Sequence, residues 1–169
     1  MLVKDIIKTA NEMRQGNNFD NEVVERWIEE CDASIQLEVA MKKPHEIVRL
    51  SPPKWESGKE YESGQRVSVR LSGELRIFKA KNAVMGEVSP DRDTEHWEET
   101  PCETYVGFPH DRLYYLYVIA MMDFANQEYD KYANGIAVYN SAFDDFAKWW
   151  QRTYGYTHRE GYDEYKSQH

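Results

Sequence analysis

Two changes of hydrophobic period constrain this chain of 169 residues more than any other feature. From Val24, apolar residues recur through Trp27, Ile28, Cys31, Ile35 and Val39 at the three- and four-residue spacing of one helix face. The stretch beginning at Pro52 abandons that spacing. Val67, Val69 and Leu71 alternate with polar residues, then Leu75 and Ile77 do the same beyond Ser72 and Gly73, as in a half-buried hairpin. Downstream of His110 the helical period returns, and Tyr132, Ile136, Tyr139, Phe143, Phe146 and Trp150 alternate steps of four and three. Helix and strand bury different periodicities, so neither an all-helical nor an all-β fold accommodates both patterns. The expected fold is α+β: a small, mostly helical bundle interrupted by a compact antiparallel β insert.

The same reading divides the chain. Residues 1–50 form the first part of a helical body, with a short helix over 2–15 whose stripe is Ile6, Ile7, Ala10 and Met13. After the break at "QGNNFDNE", a second helix runs from Val23 to about Met41, with Pro44 as the expected stop. Residues 51–100 are the β insert, closing with a short strand near Trp97. Residues 101–154 complete the body, where Leu113, Leu116 or Tyr117, Ala120 and Phe124 form one stripe and Tyr132 to Trp150 the next. The period is lost after Tyr154, which predicts a flexible or partner-ordered C-terminal tail over 155–169.

The net charge of -9 is spread along the chain, with no basic block to neutralise phosphates. The longest apolar run, Leu113 to Met122, is too short for a bilayer, and the first residues carry no signal-peptide pattern. Cys31 and Cys102 are expected as two reduced thiols. The five histidines give no compact metal pattern, and no phosphate loop, HExxH helix or GxSxG elbow occurs. Asp111 reads as a helix N-cap and Asp144 with Asp145 as a solvated face. The expectation is no catalytic residue, no metal and no cofactor.

What remains is aromatic. Trp149 and Trp150 are adjacent, so they face different directions; Trp150 continues the buried stripe and Trp149 is lateral, against a neighbouring element or another subunit. In the insert, Trp55, Tyr61 and Trp97 are read first as the core of a unit short of aliphatic residues, and alternatively as rings that stack on a sugar.

Trp55, Tyr61, Gly64, Val67, Gly73, Phe78, Ala80, Gly86, Pro90 and Trp97 together resemble the chitin-binding type-3, cellulose-binding-like modules over about fifty residues. Gln65 stands where that family commonly has Asp. The resemblance implies possible sugar-binding by Trp55, Tyr61 and Trp97. The helical frame, "DIIKTANEM" and "FDNEVVERWIEECDASIQLEV" with "EYDKYANGIAVYNSAFDDFAKWW" downstream, resembles the head-to-tail connector, or adaptor, proteins of tailed bacteriophages. That resemblance implies a non-enzymatic ring subunit, usually in twelve copies, that binds the portal protein on one side and the next neck or tail component on the other. Genome DNA would pass through the lumen without specific binding, no membrane would be involved, and the chain would reside in the virion neck after assembly in the host cytoplasm. Tyr132, Tyr139, Asn140 and Trp150 belong to the shared helix. Trp149, Arg152, Tyr154, Tyr156, Tyr162 and Tyr165 would be the portal or subunit interface.

Overall fold

The computed structural model describes residues 1–16 and 19–167, with side chains through Gly155. Helices α1 (Val3–Met13), α2 (Asn21–Glu38), α3 (Arg112–Ala125) and α4 (Tyr129–Ser167) form the body. The β insert carries strands β1 (Glu60–Tyr61), β2 (Arg66–Leu71), β3 (Glu74–Ala80), β4 (Val84–Met85) and β5 (Trp97–Thr100). The fold is α+β, with a four-helix body and a compact antiparallel insert.

The α2 stripe lies where its spacing places it: Val24, Trp27, Ile28, Cys31, Ile35 and Val39 are all buried. Pro44 does not stop this helix. It ends at Glu38, where Met41 takes a positive φ of 54° and the Lys42 amide returns to the Gln36 carbonyl at 3.0 Å. Pro44 instead opens a short 3-10 turn, Pro44–Glu46, a position that needs no amide donor. In α1, Ile6 and Ala10 are buried, whereas Met13 is exposed in the last turn.

Helix α3 keeps Leu113 and Ala120 of its predicted stripe inside and buries residues beyond that stripe as well. It packs against α1, α2 and α4, so Leu113, Tyr114, Val118, Ile119, Ala120 and Met122 are buried around most of its circumference. Phe124, expected inside, is 49% exposed and lies against the Tyr129 and Tyr132 rings at the α3–α4 turn. Asp111 occupies the N-cap position of α3 without a side-chain cap bond, because its own backbone is already helical. Two buried acids hold the body. Asp123 accepts from Arg14 Nε and a second guanidinium nitrogen at 2.7 and 2.8 Å, which joins the ends of α1 and α3. Asp32 anchors the centre.

In the insert, β2, β3 and β5 make a sheet in the order β2-β3-β5, and β1 pairs with β4. Ser72 and Gly73 both have positive φ, 52° and 85°, as a two-residue hairpin that follows strand twist requires. The register sets Val67 opposite Phe78 and Ala80 opposite Trp97 on one face, which closes over Tyr61 as a separate small core. The other face meets the body: Arg70 reaches Glu22 at 2.9 Å and Glu25 at 2.6 Å on α2.

Candidate functional site

The site begins with a mismatch of helix lengths. Helix α4 has 39 residues and α3 has 14, about 59 Å against about 21 Å, so the partner helix cannot cover α4 along its whole length. Cover ends near the start of α3, where the His110 ring lies 5.3 Å from Phe146 and 4.7 Å from Trp149. One turn farther on, Trp150 meets Tyr105 at 5.8 Å and Tyr154 at 4.4 Å. Lys42 sits 4.3 Å above the other ring of that contact, Tyr105, as a cation–π cap. The α4 residues that leave the body are thus collared by rings from the loop before α3.

A buried carboxylate fixes this collar. Asp32 on α2 accepts from the Tyr114 hydroxyl at 2.6 Å, the Tyr105 amide at 2.7 Å and Gln36 Nε2 at 2.8 Å. Gln36 in turn holds the Val48 backbone on both sides, donating at 3.1 Å and accepting at 3.0 Å. The Tyr114 hydroxyl accepts from the Val106 amide at 2.9 Å. Both crossings between body and insert, near Val48 and near Tyr105, are therefore clasped to one turn of α2. Burial raises the pKa of Asp32, opposed by its three donors and Lys42, and burial drives that of Tyr114 upward as well.

The structure brings Trp149 and Tyr154 into the collar, with Trp149 half-buried and Tyr154 exposed. Arg152 is exposed on the same stretch of α4. The α4 backbone stays helical through Ser167, past the point at which the sequence loses its period. The side chains of Tyr156, Tyr162 and Tyr165 lie outside the described residues. The sequence reading missed Tyr105, His110 and Phe108. Phe108, 92% exposed between Gly107 and Pro109, carried a signal in its neighbours: an aromatic residue between two turn formers has no helix or strand to bury it.

The three aromatic residues of the insert separate. Tyr61 and Trp97 are 1% and 2% exposed and meet edge to face at 5.2 Å, so neither offers a ring face to a ligand. The Tyr61 hydroxyl is occupied by the Glu56 backbone, accepting its amide at 2.7 Å. Trp55 is half-buried, with its indole nitrogen turned inward and lacking an acceptor among the described residues. These positions give Tyr61 and Trp97 the core role considered first for them. Among the described residues, no group of three histidine, cysteine or acidic side chains is placed to hold a metal ion, and no helix is long and apolar enough to cross a membrane.

No family model, curated protein or solved structure matches the chain.

Proposed function

We propose that the protein is a structural adaptor that joins the portal of a phage capsid to the neck or tail as a ring-forming subunit, without enzymatic activity. The observation that carries this reading is the long α4 leaving the body through an aromatic collar. Rings at the root of a projecting helix, rigidly held yet partly accessible, suit a surface that a protein partner completes. Trp149, Arg152 and Tyr154 are the contact residues at that root, and the segment over 155–169 continues toward the portal protein. Copies of the chain, twelve in the expected ring, surround the genome DNA, which an acidic subunit lets pass without binding. The next neck or tail component takes the opposite side.

The test is reconstitution on the portal encoded by the same phage, imaged by cryo-electron microscopy. A ring of this chain below the portal is expected, and deletion of residues 155–169 should abolish it. Assembly unchanged by that deletion would remove the tail from the interface, and absence of any ring would remove the adaptor role. A glycan-binding role keeps only Trp55 of its three rings with an accessible edge, so the geometry favours the adaptor.

A further inference from the structure

Among the described residues, Phe108 is the most exposed large apolar side chain. It stands at a loop tip, followed by Asp111 and Arg112, whose side chains make no hydrogen bond or ion pair among the described residues. Elsewhere on the chain, the outward face of α2 and residues 44–49 border a groove of about 550 Å³. Ala33, Pro44, Ile47 and Val48 supply its apolar lining. Arg26 and Glu30 also line it, beside the Glu29–Arg49 ion pair, and make no hydrogen bond or ion pair among the described residues. One chain thus carries an uncovered ring beside an unpaired acid and base, and an unfilled apolar groove beside an unpaired base and acid.

We propose that Phe108 of one copy seats in the α2 groove of a second copy, with Asp111 and Arg112 meeting Arg26 and Glu30 across the rim. A second copy is the occupant because the charges match pairwise, acid to base and base to acid. Copies carrying a net charge of -9 repel one another at long range, so association needs local pairs of this kind. A contact between two different patches of the same chain is heterologous, and it closes into a ring when its rotation divides a full turn. The proposal rests on the adaptor reading for that closure alone; knob and groove do not depend on it.

Full-length chains carrying Phe108→Cys or Val48→Cys are mixed and oxidised, with each variant alone as control. Mixing reports only contacts between chains, so an adjacent pair within one chain gives no signal. A cross-linked dimer in the mixture well above both controls, lost when the groove is filled by Ala33→Trp, is the expected result. Sedimentation should show self-association about thirtyfold weaker in Phe108→Ala, whose side chain supports no core. No excess dimer in the mixture would overturn the contact. Rings on the portal without the cross-link would leave the adaptor role intact and the contact wrong, whereas the cross-link without rings would do the reverse.

Discussion

The helical body and the β insert solve the same problem with different material. The body wraps α1, α2 and α4 around α3 in a core of nineteen buried residues, mostly aliphatic, to which Trp27, Tyr114, Tyr139 and Phe146 add rings, and its acids Asp32 and Asp123 are both bonded by multiple donors. The insert has five buried core residues, Tyr61, Val67, Phe78, Ala80 and Trp97, of which three are aromatic. It also leaves the indole nitrogens of Trp55 and Trp97 buried with no acceptor among the described residues. A core this small obtains its apolar area from large rings, and the cost is incomplete satisfaction of their polar edges. The body is therefore expected to resist perturbations that the insert does not survive.

The sharpest way to break this contrast is Trp97→Ala. Loss of the ring removes the contact with Tyr61 and the packing beside Ala80, and should cost the insert about 4 kcal/mol. The expected outcome is loss of amide protection in β2, β3 and β5 with helical circular dichroism retained. A collapse of the helical signal at the same temperature would show that the two cores are a single cooperative unit.

Asp32→Ala acts where the regions join. It leaves the Tyr105 amide, the Tyr114 hydroxyl proton and one of the two Gln36 Nε2 protons without an acceptor, and should lower stability by about 3 kcal/mol in urea titration, with both regions affected. The pH dependence has a definite sign. Because burial raises the folded pKa of Asp32, its proton-linked contribution is present below the ordinary value of 3.8 and is lost as pH rises through the folded pKa. Asp32→Asn should flatten the stability curve across that window; an unchanged curve would mean that another group titrates there.

The α2 stripe and the hairpin were legible because each is a local pattern with a single period. The α2 terminus was not, since a left-handed Met41 carries no composition signal comparable to that of Pro44. The α3 stripe was legible in part: Leu113 and Ala120 are buried and Leu116 and Tyr117 pack on the core, but Phe124 is exposed and Tyr114, Val118, Ile119 and Met122 are buried off the stripe, because a helix packed by three neighbours has no single face to read. Trp149 and Tyr154 were legible as candidates from an adjacent pair and a fading period. Their collar was not, because Tyr105, His110 and Lys42 reach it from loops remote in sequence. Asp32 was not singled out: of its three donors only Gln36 is local, and nothing in the sequence of α2 shows that the Tyr105 amide and the Tyr114 hydroxyl also meet it.

A smaller effect confined to the insert is expected from Gly86→Ala. A Cβ there would lie 2.9 Å from Tyr61 Cε2, 3.0 Å from Trp55 Nε1 and 3.1 Å from the Lys59 carbonyl oxygen. The backbone oxygen cannot swing aside as a side chain can, so the β1–β4 pairing must shift, at about 2 kcal/mol. Lowered protection limited to β1 and β4 would fit; an unaltered melting curve would show that this small sheet yields without cost.

The thiols give the least disruptive comparison, because one lies inside the body and the other beside the junction. Burial pushes Cys31 up to about 12 and Cys102 up to about 11, from an ordinary 9.0. Cys31 shares a 3.7 Å contact with the Tyr139 hydroxyl, whereas Cys102 donates weakly to the Leu50 carbonyl at 3.6 Å across the two crossings. Each raised thiol contributes stability that is present below about pH 9 and lost as pH rises through its folded value, so the junction should weaken before the body does. At pH 8, a thiol-specific reagent should modify Cys102 about a hundredfold more slowly than an unfolded cysteine, and Cys31 more slowly still. Modification of Cys102 faster than this roughly hundredfold slowing allows, while Cys31 stays protected, would show that the junction opens on its own. Equal rates at the two sites would mean that reaction waits for the body to unfold, and the clasp built on Asp32 would then be as strong as the core around it.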